Sequence, residues 1–499
     1  MELQFNKTVI PCLRTVAREM QTQEQTQEVR LTDGMPDIGK VLASWGQILI
    51  RGKEWRSGGA GVSGGVMVWV LYAPEDGSEP RSVETWLPFQ MKWEFPDTER
   101  DGTISILPML RSVDARSLSA RKLMVRAGVG MLGQAMVPGD AEVYSPGELP
   151  EDVRTLKRAY PVQLPREAGE KAFQLEETLT LPSSVPGIEK LIRYSLRPEL
   201  QDSKVMADKV ILRGIGNLDI LYRGVDGQLH SWNFELPFSQ YGELDREYDG
   251  NALAKICLAV TSLELEQGEE EGLNLKAGLT GQYVIYDRPV IEVVEDVYSP
   301  NRTVTPQLSQ LHLPAILDSR SETVHAEQAV DAEGMRVADV VFYPDYPQQR
   351  RDGDRMSAEL SGMFQMLGYD GDGQLQSAVS RWQDTWSMGA SADAAVDMTV
   401  QQTGMPLAAQ SGATTNLRAD MTVDTVTTAE QGLPMVTGIE MGEWREPDPN
   451  RPSLIVRRMG AERLWDLAKR TGSTVEAIQK ANGLQQEPDS DQLLLIPVL

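Results

Sequence analysis

Cysteine and histidine are almost missing from this sequence. Two cysteines in 499 residues, Cys12 and Cys257, leave no disulfide framework and no Cys-x-x-Cys spacing for a metal, so both read as partly buried thiols. The three histidines, His230, His312 and His325, make no HExxH or paired motif for zinc. No apolar run approaches the ~18–20 residues of a membrane span. The opening Met-Glu-Leu-Gln-Phe-Asn-Lys lacks the basic-then-apolar order of a secretory signal. Positive charge is short as well: 48 Lys and Arg against 73 Asp and Glu leave a net charge of −25. Such a surface repels phosphate backbones, and no basic patch offsets it, so nucleic-acid binding is not expected. What is present, 41% hydrophobic and 24% charged residues, is ordinary for a folded chain. At ~100–200 residues per domain, three or four domains are expected. The composition describes a soluble, acidic, multidomain protein of a reducing compartment.

The sequence repeats itself. Pro36-Asp-Ile-Gly-Lys40 lines up with Pro186-Gly-Ile-Glu-Lys190, Gly64 with Gly214, Leu71-Tyr72 with Leu221-Tyr222, and Asp76-Gly77 with Asp226-Gly227. Leu87-Pro-Phe89 then matches Leu236-Pro-Phe238, and both copies close on Val-Tyr-Ser-Pro, at 143–146 and 297–300. Matches in one order at nearly one offset define a duplication of whole domains. A worn third copy follows. Asp372-Gly-Gln-Leu-Gln-Ser377 repeats Asp226-Gly-Gln-Leu-His-Ser231, and Leu417-Arg-Ala-Asp-Met421 echoes Leu275-Lys-Ala-Gly-Leu279. Each copy reads mainly as β. Val66–Tyr72 is β-branched and aromatic, turns at Pro74–Gly77 and continues at Val83–Leu87. The expected organisation is 1–148, 149–300 and 301–443 as antiparallel β domains, then a Pro-rich linker at 444–453 and a small domain at 454–499.

That last segment has its own pattern. Leu454-Ile-Val456 is a short strand, and Glu462–Arg470 predicts a helix with Leu464, Trp465, Leu467 and Ala468 on one face and Gly472 as its stop. Ser473-Thr-Val-Glu476 reads as a capping box opening a second helix, with Val475, Ile478 and Ala481 inward and Asn482-Gly483 at its end. Leu493–Ile496 is the returning strand. With so little core in about 45 residues, Trp465 and the leucines are expected to hold it together.

Strand, helix, helix, strand with Gly460, Leu464-Trp465-Asp-Leu-Ala468, Gly472-Ser473, Ile478, Asn482-Gly-Leu484 and Ile496-Pro497 resembles the LysM module. The resemblance implies a βααβ fold that binds N-acetylglucosamine-containing glycans such as peptidoglycan, between the loops at Met459–Glu462 and Asn482–Asp491. Where the family usually has Gly-Asp-Thr or Gly-Asp-Ser, this chain has Gly460-Ala461-Glu462, so a protein partner is an equal expectation. The β copies, through Pro36-Asp-Ile, the Gly…Leu-Tyr strand before an Asp-Gly turn, and Leu-Pro-Phe, are similar to the SPOCS domain of spore-coat proteins. Tandem SPOCS units with one C-terminal LysM resemble clostridial spore-coat morphogenesis proteins. The resemblance implies a mother-cell cytoplasmic protein at the forespore surface whose LysM module contacts a SpoIVA-like coat-basement ATPase.

No catalytic constellation assembles from these residues. Asp370-Gly-Asp-Gly373 is like the start of a calcium loop but lacks the closing glutamate and falls on a hairpin turn. Ser57-Gly-Gly-Ala-Gly-Val-Ser-Gly-Gly65 lacks the Gly-Lys-Ser/Thr and the helix of a phosphate loop, and reads as a flexible hairpin loop. Glu269–Glu271 reads as a solvated turn, and His230 as a surface residue of a hairpin strand. Trp86, Trp93 and Trp232 are core or interface anchors. Gln21–Glu28, polar throughout, is either an arm that adds a strand to a neighbour or a loose lead-in. The expectation is a non-enzymatic scaffold without cofactor or metal. Its contact would be Gly460, Ala461, Glu462, Arg463, Asn482, Gly483, Leu484 and Gln485, with Trp465 and Ile478 supporting from inside. The alternatives are a self-associating surface or appendage fibre subunit, and a peptidoglycan binder.

Overall fold

The structure is a computed structural model describing residues 2–98, 100–268, 272–331, 335–391, 395–411, 414–446, 451–488 and 491–499. Strands dominate it. The first seven are β1 (Glu2–Gln4), β2 (Asn6–Arg30), β3 (Ile38–Arg56), β4 (Gly59–Pro74), β5 (Arg81–Glu94), β6 (Thr103–Ser119) and β7 (Lys122–Ser145). β2 to β7 make two antiparallel sheets, ordered β2-β7-β6 and β3-β4-β5. β5 shows why they stack: Val83, Leu87, Phe89, Met91 and Trp93 are buried, while Pro88, Gln90, Lys92 and Glu94 between them are exposed. A two-residue period of this kind puts one face of the sheet in the core.

The same order returns in β8 (Arg154–Pro161), β9 (Leu164–Thr180), β10 (Ile188–Gly224), β11 (Leu229–Tyr248), β12 (Leu253–Gln267), β13 (Gly272–Asp287) and β14 (Val290–Tyr298). Here the sheets are β9-β13-β12 and β10-β11, with β8 on β14. It returns again in β15 (Arg302–Asp331), β16 (Arg336–Pro344), β17 (Gln348–Asp352), β18 (Arg355–Tyr369), β19 (Leu375–Ser391), β20 (Ala395–Ser411) and β21 (Thr414–Trp444). There β21 lies between β15 and β20, and β18 carries β16, β17 and β19. The chain closes with β22 (Leu454–Arg458), α1 (Leu464–Thr471), α2 (Val475–Asn482) and β23 (Leu493–Pro497).

Equivalent residues make equivalent contacts. The Tyr72 hydroxyl donates to the Pro36 carbonyl at 2.9 Å, and that of Tyr222 to the Pro186 carbonyl at 3.1 Å. A Cβ on Gly64 would lie 2.4 Å from the Leu49 carbonyl oxygen and 2.8 Å from the Phe89 ring; one on Gly214 would meet the Glu199 carbonyl oxygen and Phe238 at 2.2 and 2.6 Å. Gly362 is crowded too, but there both the Phe342 ring and the Tyr343 carbonyl come from the preceding strand, β16. A phenylalanine ring thus lies over a glycine where two strands cross closely.

The three units share several contacts, two of them apolar. Leu71, Leu221 and Leu367, all essentially buried, share one cluster with Trp45, Trp69 and Ile192. Beside them Arg193 donates to Asp339 at 2.6 Å, with side chains only 3% and 4% exposed, and the guanidinium stands 5.5 Å over Trp45. Farther along, the first and last strands of each unit run beyond the sandwich as two-stranded ribbons. These pack on one another through Ile10, Val143, Tyr160, Ile291, Leu313 and Leu433. β1 adds to the third ribbon, with Leu3 opposite Ile439.

Several local expectations change. Gln21–Glu28 is neither an arm nor a lead-in: it is the middle of β2, paired with Met124–Met131 of β7. Its polar side chains mark β2 as the edge of its sheet, where charge and amide discourage pairing with another chain. Ser57–Gly65 is a turn only at Ser57-Gly58 and then becomes β4. Its glycines are there for close approach, since a Cβ on Gly65 would lie 2.2 Å from the Trp86 ring. Asp370–Gly373 is a hairpin turn in which Asp370 Oδ1 accepts from the backbone N–H of Asp372 and Gln374 at 3.0 and 2.8 Å. The glycines of the three corresponding turns, Gly77, Gly227 and Gly373, have φ of 71°, 77° and 76°. Glu269–Glu271 and residues 447–450 of the linker lie outside the described residues.

Candidate partner-binding site

The C-terminal segment folds as β22 antiparallel to β23, with Leu454 opposite Pro497 and Val456 opposite Leu495. α1 begins at Leu464, two residues later than the pattern predicts, and buries Leu464, Trp465, Leu467 and Ala468. Arg463 at its N-cap makes no side-chain cap; instead Leu464 N–H donates to Glu487 Oε2 at 3.0 Å. That carboxylate satisfies an otherwise orphaned N–H at the positive end of the helix. Gly472 (φ 66°) ends α1 and Gly483 (φ 64°) ends α2 in the left-handed conformation. The capping box is corrected: Thr474 caps α2, accepting from Ala477 N–H at 3.1 Å. Glu476 therefore sits at the second helical position, too early to return a bond to the cap. Ala481 is exposed rather than inward.

The candidate contact residues divide. Gly460, Ala461, Gly483 and Gln485 are exposed. Glu462 is held by Arg470 at 2.8 Å and Arg457 at 3.5 Å. Asn482 is spent internally: its amide donates to the carbonyls of Ile478 (2.8 Å) and Leu495 (2.6 Å) and accepts from Leu495 N–H (2.8 Å). It pins α2 to β23 and has little left for a ligand. Leu484 packs on the module's core, and Ile478 is fully buried within it.

Arg463 and Trp465 face elsewhere than expected. Trp465 Nε1 donates to Asp296 Oδ2 at 2.8 Å, and its ring meets Tyr298 edge-on with centroids 4.7 Å apart. Lys469 Nζ reaches both Asp296 oxygens at 2.8 Å, and the Tyr298 hydroxyl donates to the Ser473 carbonyl at 3.1 Å. Arg463 lies 4.0 Å from Glu295. Tyr298 and Leu156 belong to the same apolar cluster as Leu464 and Ile478. Trp465 is thus a docking anchor as well as core, and the module is seated on the β8–β14 ribbon instead of hanging on a loose tether. Burial holds the Tyr298 hydroxyl proton firmly, pushing its pKa up to about 12, so it stays a donor at neutral pH.

Docking through α1 leaves the opposite face of the module open. Leu454, Val456, Leu493 and Leu495 are 48, 56, 60 and 40% exposed. They share the outer face of β22–β23, because Ile455, Leu494 and Ile496 between them point to the core. The sequence pattern marks both segments as strands and assigns neither an outer face. The signal was there: both parities of Leu454-Ile-Val456 and Leu493–Ile496 are apolar, although the module has only one inner face.

Elsewhere, Trp93 is buried and donates to the Glu19 carbonyl at 3.0 Å. Trp86 packs from the first unit against the core of the second, and Trp232 lies at the rim of that core. His230 Nε2 lies 3.0 Å from Asp226 on the hairpin. A cleft of about 870 Å³ between the units is lined by Arg18, Lys255, Tyr286, Arg320 and Asp397. Lys255 Nζ lies 2.7 Å from Asp397, which Arg18 also contacts. Burial, then the charge of Arg18, pushes the Lys255 pKa down to about 8. Among the described residues no three His, Cys, Asp or Glu side chains group to hold a metal, and no helix is long and apolar enough to cross a membrane.

Fold and site together define a class: a mainly β chain of recurrent antiparallel two-sheet units carrying a small βααβ module. Residues 187–263, from β10 into β12, match the family model described as SipL, SPOCS domain. The chain therefore resembles SipL and its SPOCS domain, which gives it a sporulation-related context. No curated protein and no solved structure matches it.

Proposed function

We propose that this chain is a non-enzymatic adaptor of spore-coat assembly, in which tandem SPOCS-like sandwiches form a rigid body that carries a LysM-like module. That module engages a protein partner, by resemblance the SpoIVA-like coat-basement ATPase, at the spore surface. The observation that carries the reading is the apolar face of Leu454, Val456, Leu493 and Leu495 on a module already anchored by its other side. A cluster of this kind beside the exposed Gly460-Ala461 and Gly483 loops suits a protein surface. It suits a sugar poorly, because Asn482 is committed to Ile478 and Leu495 and Glu462 to Arg457 and Arg470. Docking also fixes the orientation in which the face is displayed, which lowers the entropy cost of capture.

Capture from sporulating-cell extract on the immobilised full chain tests this. Recovery of the ATPase, lost in a Val456→Asp/Leu495→Asp variant, is expected. Equal recovery by both removes the reading. Co-sedimentation of the chain with peptidoglycan would favour the glycan-binding alternative instead.

A further inference from the structure

The module's seat on the second ribbon is built twice. On β8–β14, Arg154, Thr155 and Leu156 stand opposite Tyr298, Val297 and Asp296. On β2–β7, Lys7, Thr8 and Val9 stand opposite Tyr144, Val143 and Glu142. Residue for residue, a cation, a threonine and an aliphatic side chain face a tyrosine, a valine and an acid. The inward valines are buried in both, Val297 and Val143 alike, so the two ribbons present the same outer face. On the second ribbon that face holds α1 through Asp296, Tyr298 and Leu156. On the first the module is absent: Val9 is 45% exposed and Glu142 is exposed, while Tyr144 is half-buried against two neighbouring apolar clusters and its hydroxyl donates to Glu142 at 3.4 Å. The third ribbon repeats only part of the set. Arg302 faces Trp444, but Met441 and not an acid faces Val304.

We propose that Val9, Glu142 and Tyr144 form a second docking site for the C-terminal module, occupied by the module of another copy of this chain. Glu142 takes the place of Asp296 opposite Trp465 and Lys469. Tyr144 takes that of Tyr298, and Val9 supplies the apolar contact of Leu156. One chain thus offers two seats and one module, and exchange of modules between neighbours links copies head to tail. Besides the Tyr144–Glu142 bond, two further differences make the first seat the weaker one. Ala141 stands where the second ribbon has Glu295, so Arg463 gains no carboxylate there. Lys7 already pairs with Glu142 at 2.6 Å, whereas the equivalent Arg154 is turned to the Glu151 and Val153 carbonyls. The own-chain seat fills first, and exchange follows when local concentration is high, as in an assembling layer. Exchange of modules needs no coat ATPase and does not depend on which partner the module's other face binds.

Sedimentation velocity of the full chain over a range of concentrations tests it. Asp296→Arg sets a guanidinium against Lys469 and frees the module. The weight-average mass is then expected to climb with concentration towards and beyond twice that of one chain. Adding Lys7→Ala, which releases Glu142, is expected to move the climb to lower concentration. Adding Val9→Asp is expected to return the chain to a monomer. Lys469→Glu, which opposes both acids, is expected to free the module without association. A monomeric Asp296→Arg chain overturns the proposal, and so does association that survives Val9→Asp or appears with Lys469→Glu.

Discussion

Position 339 offers the sharpest test of how the three units hold together. Ala43, Arg193 and Asp339 occupy matching places, each next to its unit's inward leucine: Ala43 opposite Leu71, Asp339 opposite Leu367, and Arg193 one repeat offset after Ala43. The Arg193–Asp339 bond at 2.6 Å therefore links two units across their common cluster, with both side chains almost wholly out of water. Burial works against the Arg193 charge, but the adjoining Asp339 outweighs it and Arg193 keeps its proton. Asp339→Ala leaves that guanidinium beside Trp45 without its ion-pair partner, with only the charge of the more distant Asp219 near it. Removing one member of a buried pair costs about 3–5 kcal/mol, because the other charge is left uncompensated. The double change Arg193→Met/Asp339→Leu removes both charges and is expected to be neutral to about 1–4 kcal/mol stabilising. Urea unfolding followed by tryptophan emission reports on it, since Trp45 and Trp69 lie in the same cluster. Single variants that cost less than about 1 kcal/mol each would refute the reasoning, as would a double variant no better than the singles.

Gly64→Ala is expected to lower stability by about 1–3 kcal/mol through overpacking against Leu49 and Phe89, while Gly77→Asn, in open space at positive φ, costs less than about 1 kcal/mol; thermal melting compares them. Asp152 is held below the usual aspartate range because the Ser299 hydroxyl and Arg302 guanidinium outweigh the opposing effect of burial. Folding therefore favours its charged form, and the stabilisation is complete above about pH 4 and fades as pH falls through the lowered value. Asp152→Asn should cost about 1.5–3 kcal/mol near neutral pH, and the gap from the natural chain should narrow in acid, as read by denaturant titration at each pH. Lys255, with its pKa near 8, should be about half neutral at pH 8, where an ordinary lysine is roughly 0.4% neutral. Amine-directed labelling at pH 8, read by mass spectrometry, should mark Lys255 ahead of surface lysines unless Asp397→Asn changes its setting.

The β architecture was legible because its signals are local. Val66–Tyr72, the Asp-Gly turns and Leu87-Pro-Phe89 each carry strand or turn chemistry within a few residues, and the offset of Tyr72 from Tyr222 exposed the repeat. Gly472 and Gly483 gave both helix ends for the same reason. What escaped was everything set by contact between distant segments. The polar run Gln21–Glu28 has no apolar face, yet β7 supplies a full ladder of partners, so register overrode composition. The glycines of Ser57–Gly65 read as a loop until Phe89 and Trp86 are seen lying on them. Asn482 looked like a ligand residue and is a brace. Asp296 and Tyr298 were visible only as the end of a repeat, because Trp465 and Lys469, which give them a task, lie some 170 residues away.

Central to the proposed role is a module anchored by α1 that would present its β22–β23 face to a partner. Titrating purified SpoIVA-like ATPase into the full chain, by calorimetry, tests that directly with three proteins: the natural chain, Val456→Asp/Leu495→Asp, and Gly460→Asp. Saturable binding by the natural chain, abolished when the two strand residues are charged and weakened by the loop change, is the predicted result. Binding of undiminished affinity by the Val456→Asp/Leu495→Asp chain, or none by the natural chain, would contradict it.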